Sequence, residues 1–556
     1  MDSLRKAILL ALLGLCACGD PGLRDRSLMA RLSNEQRGLL PYGSTRGSQR
    51  RGIAQTSVIG LAPDQLANYY PDDPTLVIRF KDLNSVGREF AAELERIRKA
   101  LPGFDLPTSA TADLLRRVWS LPDTVLIDPV RPFAMVRTES GWAAILPTRS
   151  KDKAPSRLRQ LDAIYCVAGE PVVVQSYRPG FRKGFYLPGD VSVIAAPEAL
   201  EDFGSSLKPV LGKLGVDASM LDAWMPVLPP DIERVDFAVR LQDGLLRLDL
   251  RAAPARENPT SVYLERMRPR PSGAVRWLPP GGTAYVEFVS PPLDWEGLAS
   301  VLFRGEFANR AEEEERLIFS IRRGLAALGQ DAAAVLRLVP NGPGSLLLVA
   351  DLEDPEATAA FLDSIDLMAL LSRAAGSDGS LEWEPQSFHH KGVPVGMIQG
   401  NLSRSRLLEW RRSGDLLMAT ASVLMRGPVV AYAAIVEDKL CVAIGPKSRG
   451  EMELLIEHVQ RGVPADNEHN AKATALFPQR LAAFSADLGA LFDGCVEAAP
   501  YWGEDLAPLR TASLRVPLPV SGVVTVEGGA LRLATSLRPA LLAEAIARLR
   551  AQARRR

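Results

Sequence analysis

The chain has 556 residues, which is more than one ordinary hydrophobic core can organise, so at least two large domains are expected. Hydrophobic residues make up 47% of the sequence and charged residues 24%, a composition that is typical of globular proteins and excludes disorder as the main state. Lysine plus arginine and aspartate plus glutamate both number 66, so the formal net charge is zero and does not indicate nucleic acid as a partner.

The first residues have the pattern of an export signal. Arg5 and Lys6 supply positive charge, and an uninterrupted apolar run follows at 7–15. This run is too short for a stable membrane-spanning helix, and no later window is long and apolar enough to form one. The sequence therefore predicts a signal peptide followed by a body without a membrane-spanning helix.

The end of this leader reads Leu15-Cys16-Ala17-Cys18-Gly19. The segment resembles the lipobox of bacterial lipoproteins, in which a leucine stands three places before an invariant cysteine. The resemblance implies that residues 1–17 are removed and that Cys18 receives diacylglycerol; a plain secretory leader is the alternative. In the enterobacterial sorting pattern, aspartate directly after the cysteine retains a lipoprotein at the inner membrane. Gly19 therefore favours the outer membrane over the inner membrane within the cell envelope.

Residues 18–60 are polar and rich in arginine, and they have no sustained helical or strand period. We interpret them as a flexible tether between the lipid and the body. A second interpretation is that Arg46, Arg50 and Arg51 contact anionic headgroups or the cell wall. A solvated linker is the favoured one of the two.

The body contains two copies of one pattern, which we place at 61–270 and 278–556. Matching segments begin, in order, at Pro74 and Gly282, Gly141 and Gly344, Gly189 and Glu437, and Arg234 and Val520. Each copy predicts strands alternating with helices and ends in a hairpin, with Asp243-Gly244 and Gly528-Gly529 at the two turns. The Pro- and Gly-rich segment 268–277 is the predicted junction.

Closing hairpins are antiparallel, so the predicted fold class is α+β: two tandem copies of a mostly antiparallel sheet, each backed by helices. Leu245, Arg247 and Asp249 alternate with leucines, which predicts one packed face and one face that is wet or lines a groove. The segment 541–549 predicts an amphipathic helix that packs on the second sheet.

The openings at 71–75 and 278–283 and the closing segment 537–542 are short Pro-containing motifs beside a strand. With them the body resembles an uncharacterised exported bacterial family, a domain of unknown function. The resemblance implies an architecture for most of the body and no activity.

One serine and one lysine have the spacing of a nucleophilic site. Ser205 and Lys208 form an S-x-x-K pattern, which on a helix brings hydroxyl and amine to one face. Ser377-Asp378-Gly379 resembles only loosely the second motif of penicillin-recognising enzymes, and no K-T-G follows. A cell-wall hydrolase that uses Ser205 and Lys208 is therefore the least favoured hypothesis.

Metal and cofactor signals are weak. His389 and His390 are adjacent, so on a strand they point to opposite faces, and Glu382 or Glu384 could add one ligand at most. A surface hairpin is the favoured interpretation. The sequence has neither a phosphate-binding glycine loop nor a G-x-S-x-G elbow, so no cofactor, metal site or catalytic residue is predicted.

The body keeps three cysteines, Cys166, Cys441 and Cys495, and sequence leaves open whether any two of them form a disulfide. Taken together, these features predict a non-enzymatic envelope lipoprotein that works by binding or scaffolding. The expected partners are the membrane, through lipid at Cys18, and an envelope protein or apolar ligand. A carrier or binder of lipid or another apolar ligand is the first alternative.

Overall fold

The computed structural model describes residues 61–100, 116–148, 157–199, 232–289, 327–364, 379–401, 429–498 and 516–554, with short gaps inside several of these ranges. They divide into two compact units. Unit 1 contains the described residues as far as Arg266 together with Val526–Ala547, and unit 2 contains Met267–Thr525. The chain passes from unit 1 to unit 2 at Met267, and part of the C-terminal region belongs to unit 1.

The described residues of unit 1 form mainly strands, together with three α-helices. The strands are β1 Ala62–Asp64, β2 Leu76–Phe80, β3 Phe133–Thr138, β4 Gly141–Pro147, β5 Leu158–Gln160, β6 Tyr165–Gly169, β7 Gly184–Tyr186, β8 Val191–Ala195, β9 Ile232–Gln242 and β10 Leu245–Pro254. The helices are α1 Leu83–Ala100, α2 Pro171–Ser176 and α3 Pro259–Arg266, besides a 3-10 turn at Ala67–Tyr69. Pro171 starts α2, where its missing N–H leaves no hydrogen bond unmade.

Unit 2 has strands β11 Ala284–Val289, β12 Leu328–Arg337, β13 Ser345–Leu352, β14 Ser380–His390, β15 Val393–Asn401, β16 Val429–Val436, β17 Lys439–Ile444, β18 Ala482–Asp487 and β19 Pro519–Glu527. Its helices are α4 Pro355–Leu362, α5 Ser448–Arg461 and α6 Leu488–Ala498. The Asp354 side chain caps α4 by accepting the N–H of Ala357 at 2.8 Å. Ala274–Trp277, predicted as an irregular junction, is instead a 3-10 helix whose Trp277 is buried in the core of this unit.

The chain ends with strand β20, Ala530–Leu537, and helix α7, Pro539–Arg554. The first part of α7 lies in unit 1, where the Ala540 N–H donates to Glu93 of α1 at 2.9 Å. The predicted helix 541–549 is therefore present. A carboxylate of unit 1 binds the start of the helix, and the packing of its apolar face on the second sheet stays a prediction.

The described strand pairings are antiparallel in both units, including the separate pair of β1 and β7. In unit 1 the order is β6–β4–β3–β2–β8–β9–β10–β20. In unit 2 the order is β14–β15–β16–β17–β13–β12–β11–β18–β19. This mostly antiparallel architecture with a few helices confirms the α+β class.

Turn chemistry explains two of the chain reversals. Asp243 and Gly244 have φ values of 53° and 73°, and Gly528 and Gly529 have 55° and 73°. Asp-Gly and Gly-Gly accept this left-handed backbone most easily, which is why these dipeptides were strong turn signals. Among the helices that the structure describes, none is both long enough and apolar enough to cross a membrane.

Candidate functional site

Several residues singled out from the sequence lie outside the part of the chain that the structure describes. They are Cys18, Arg46, Arg50, Arg51, Ser205, Lys208, Ser377 and Asp378. Lipidation at Cys18 and hydrolysis by Ser205 and Lys208 therefore stay predictions.

Cys166 and Cys441 are free thiols and are both buried, so these two do not form a disulfide with each other. Burial raises the pKa of the Cys441 thiol to about 12 and raises that of Cys166 as well, although the Thr148 hydroxyl at 2.8 Å opposes the second shift. Thiols in this state are poor nucleophiles. The backbone of Cys495 lies in α6, and its side chain is outside the described set.

The two adjacent histidines lie at the end of the β14–β15 hairpin. His390 Nε2 is 3.2 Å from a Glu457 carboxylate oxygen of α5, and Lys391 Nζ is 2.9 Å from the same oxygen. The Lys391 ammonium and the other cations around Glu457 hold the pKa of that carboxyl below its usual value. No group of three His, Cys, Asp or Glu side chains within the described ranges could hold a metal ion. The arrangement fastens the hairpin to α5.

A cluster of polar side chains is buried on the face of the unit 2 sheet that packs against α5. Its centre is Glu287 of β11, whose carboxylate accepts from the Arg480 guanidinium. His469 stacks on Tyr285 with ring centroids 5.3 Å apart, and its Nδ1 is 2.7 Å from the Ser485 hydroxyl. The other ring nitrogen of His469 is 3.8 Å from Glu287.

Serine, histidine and glutamate thus follow one another in space, as in a nucleophilic triad. Two observations argue against that chemistry. Ser485 and His469 are almost completely buried, and the carboxylate is committed to Arg480. We therefore assign the cluster to the structure of the core, since buried charges need such partners. In the sequence, only Glu287, an acidic residue among the alternating apolar residues at 284–289, could have indicated this buried polar cluster.

Unit 1 also buries a charge, at the position of β2 that corresponds to Glu287 of β11. Arg79 of β2 donates to Asp64 at 3.1 Å, and the Tyr70 hydroxyl donates to the same carboxylate at 2.5 Å. Burial, reinforced by Asp64, raises the pKa of Tyr70 well above its ordinary value, so the phenol stays protonated and donates. The Arg79 guanidinium also lies 3.8 Å from the centroid of the Tyr186 ring.

The charged alternation of β10 passes from solvent into the core, because Leu245 is exposed, Arg247 is half-buried and the residues that follow on the same face are buried. Asp249 and Arg251 are buried, and Arg251 donates to Asp236 of β9 at 3.2 Å. Arg234 binds the same carboxylate with a shortest distance of 2.6 Å. The expected wet face is therefore limited to the start of β10, and ion pairs compensate the charges that are buried further along the strand.

The opposite face of the unit 2 sheet is apolar across many strands. Cross-strand partners share a face, so the register assigns to it Ala284, Val286, Phe288, Ala332, Ala334, Leu336, Leu346, Leu348, Ala350, Leu440, Val442, Ile444, Ala482, Phe484, Ala486, Val520 and Val524. None of these side chains is charged, and none can form a hydrogen bond.

The most open part of this face surrounds Phe288. We call it the Phe288 patch and define it as Val286, Phe288, Ala332, Ala334, Ala482 and Phe484. The side chain of Phe288 is 53% exposed and that of Val286 is 36% exposed, and the other members are half-buried. Large apolar side chains in such numbers on one open surface mark interaction sites. The sequence analysis did not identify the patch, although 284–289 alternates in a way that could have indicated it.

Comparisons with known proteins add no family. No protein-family model matches the chain, and no curated protein matches it. A solved structure titled "Structure of crystal form I of TP0453" aligns with 50% of this chain and 97% of its own, at 12% identity and a TM-score of 0.21. A TM-score of 0.21 carries no argument about fold or function.

Proposed function

We propose that this chain is an exported lipoprotein of the cell envelope, anchored in a membrane through Cys18, and that it acts by binding rather than by catalysis. The anchor rests on the leader at 1–17 and the lipobox-like residues that end it. Gly19 in place of aspartate favours the outer membrane. The tether at 18–60 would connect the lipid to the two units.

One observation carries the binding role: the Phe288 patch is open and entirely apolar in a chain of ordinary composition. Soluble proteins rarely leave contiguous apolar surface uncovered unless something docks there. The buried polar cluster around Glu287 supports the same interpretation, because its serine and histidine lie away from any surface. The hydrolase alternative rests on the spacing of Ser205 and Lys208 alone, and these residues lie outside the described part of the chain.

We further propose that the two units descend from one duplicated module. The strands β6–β4–β3–β2–β8–β9 of unit 1 and β17–β13–β12–β11–β18–β19 of unit 2 follow the same spatial order and the same order along the chain. Such agreement favours duplication over chance similarity.

This strand order revises one of the segment matches. The segment at Glu437 was matched with the one at Gly189, which contains β8, but β17 corresponds in the sheet to β6. The two strands read Tyr165-Cys-Val-Ala-Gly-Glu-Pro and Leu440-Cys-Val-Ala-Ile-Gly-Pro, and each precedes a helix. The closer sequence match therefore agrees with the strand order, which supports the duplication.

The anchor is tested by expressing the full chain in a bacterial host beside Cys18→Ser, with Cys16→Ser as the matched control. We expect the wild type and Cys16→Ser to lose residues 1–17, to gain the mass of acyl chains and to partition with membranes. Cys18→Ser is expected to stay uncleaved and unacylated, since no thiol is present at the cleavage site. Equal mass and partitioning for wild type and Cys18→Ser would refute the anchor.

A further inference from the structure

A buried carboxylate holds the segment through which the chain enters unit 2. Asp331 lies on β12 and is 5% exposed. The register of β12 against β13 shifts between Leu328 and Ala332, and an irregularity of this kind can re-aim a side chain. The Asp331 carboxylate accepts the Gly273 N–H at 3.0 Å and lies 3.4 Å from the Arg270 guanidinium. One side chain therefore contacts the entering chain at two points.

The entry segment, which we define as the described residues among 270–278, is fixed more firmly at its end than at its start. Its 3-10 helix, Ala274–Trp277, has its apolar side chains buried in the core of unit 2. At its start, Arg270 exchanges two backbone hydrogen bonds of 3.2 Å with Arg480. Loss of the Asp331 contacts would therefore loosen the start of the entry segment and leave its 3-10 helix in place.

The surroundings of Asp331 make its protonation easier than that of an ordinary aspartate. Burial raises the pKa of the Asp331 carboxyl above 3.8, the Gly273 N–H and Arg270 oppose this in part, and Asp351 of β13 adds to it. The attraction of Arg270 is weak, because its side chain is 44% exposed and solvent screens the charge.

The other charged groups around Asp331 are themselves paired. Lys439 of β17 lies 3.1 Å from Asp351 and 2.9 Å from Asp438, so one ammonium is shared between two carboxylates. This sharing compensates Asp351 only in part, and Asp351 still repels a negative charge on Asp331. On β11 the acidic residue is Glu287, which already has a cationic partner.

Protonation of Asp331 weakens its hold on the entry segment without unfolding unit 2. A hydrogen bond to a carboxylate is about twice as strong as one to a neutral oxygen, and the attraction of Arg270 needs the negative charge. A group whose folded-state pKa is raised binds its proton more tightly in the folded state than in the unfolded state, so its protonation favours the fold. The start of the segment therefore loosens at acid pH while the sheet stays formed.

We propose that Asp331 is an acid-operated clamp: its carboxylate fastens the entry segment of unit 2 through Gly273 and Arg270, and its protonation releases the start of that segment with unit 2 still folded. The clamp goes beyond the proposed binding role and needs no lipid at Cys18. Export, which is part of the proposed function, would expose the clamp to the pH outside the cytoplasm.

The test follows amide hydrogen exchange in the full chain by mass spectrometry, from neutral to acid pH, with each rate divided by the random-coil rate at that pH. For the peptide that contains Gly273 we expect the relative rate to rise roughly fivefold in a single-proton step, which is the difference between a charged and a neutral acceptor. Asp331→Asn has a neutral acceptor at every pH, so the same peptide should exchange fast throughout and show no step.

Two charge variants should shift the midpoint of this step in opposite directions. Arg270→Gln removes a cation that stabilises the carboxylate, so the midpoint should move to higher pH. Asp351→Asn removes an anion that repels the carboxylate, so the midpoint should move to lower pH. A general loosening of unit 2 would not separate the two variants in this way.

The matched control is Asp354→Asn. Asp354 also accepts a backbone N–H, that of Ala357 at 2.8 Å, but at an exposed site of the same unit. This variant should speed exchange at the start of α4 and leave the step at Gly273 unchanged.

Three results would overturn the clamp. They are a relative rate at Gly273 that does not change with pH in the wild type, a step that persists in Asp331→Asn, and a loss of protection in α5 at the same pH, which would mean that the whole unit unfolds. None of them depends on acylation, so an unmodified Cys18 refutes the anchor and leaves the clamp as it is.

Discussion

Phe80 of unit 1 and Phe288 of unit 2 occupy corresponding places in sheets of the same strand order, and their surroundings differ. Phe80 has Phe133 and Val191 as cross-strand partners, and its ring stacks on Phe133 at 4.5 Å with an interplanar angle of 3°. It is 6% exposed, against 53% for Phe288. Whether an aromatic residue is buried thus depends on the size of its partners on adjacent strands, which its own strand does not specify.

On the other face of the two sheets, the strands β2 and β11 bury charges of opposite sign. Arg79 of β2 binds Asp64, whereas Glu287, at the corresponding position of β11, binds Arg480. Each strand buries one charge, and each unit compensates it with the opposite charge from a different element. Burial of an ion at this position therefore requires a partner and does not require a particular sign.

The largest expected effect comes from breaking one of these pairs. Arg480→Leu removes the guanidinium that faces Glu287 in the core, and we expect the free energy of unfolding in urea to fall by about 3–5 kcal/mol. Tryptophan fluorescence reports the transition.

The double variant Glu287→Gln with Arg480→Leu is the control for this pair. It should recover part of the lost stability, because no uncompensated carboxylate is then buried. A double variant as unstable as the single one would mean that packing around Arg480, and not its charge, stabilises unit 2.

The next effect tests the two phenylalanines directly. Phe80→Ala removes a buried ring that stacks on Phe133, so a loss of about 3 kcal/mol is expected. Phe288→Ala removes a ring that is half in solvent and should change the free energy of unfolding by no more than about 0.5 kcal/mol. Both are measured by the same urea titration. Equal losses would show that Phe288 is covered, and the distinction between the two faces would fail.

Local signals predicted part of this fold. Asp243-Gly244 indicated a turn because its residues accept positive φ, and the hairpin of β9 and β10 confirms it. The closing hairpins predicted antiparallel strands and hence the α+β class, which the structure confirms. Long-range partners gave no such signal: Glu287 and Arg480 are 193 residues apart, and no local pattern pairs them. The charges of β10 were assigned to a wet face because their partners on β9 could not be read from β10 itself.

The candidate site was missed for a related reason. The alternation at 284–289 shows that Val286 and Phe288 share one face, but a strand usually buries its apolar face. The partners of Phe288 on β12 and β18 are alanines, and the pairing of those strands with β11 is a tertiary property. A single amino-acid sequence does not specify such pairings.

The smallest expected effect compares two carboxylates, one in each unit. Burial alone would raise the pKa of Asp162, but hydrogen bonds from Tyr69 and from the N–H groups of Tyr165 and Ile164 hold it below the ordinary 3.8. Burial raises the pKa of Asp331 above 3.8, and the Gly273 N–H and Arg270 oppose this only in part. Proton linkage therefore gives the two residues opposite pH dependences.

Asp162 contributes stability that is present above pH 3.8 and is lost as the pH falls through its lower, folded-state pKa. Asp331 favours the folded state below pH 3.8, and this contribution is lost as the pH rises through its higher, folded-state pKa. In urea titrations from acid to neutral pH, Asp162→Asn should flatten the loss of stability on acidification. The free energy of unfolding of Asp331→Asn should increase relative to that of the wild type as the pH rises, because the amide never has to ionise in the core. If both variants kept the pH slope of the wild type, neither carboxylate would have a folded-state pKa that differs from its unfolded-state pKa, and this contrast between the two units would fail.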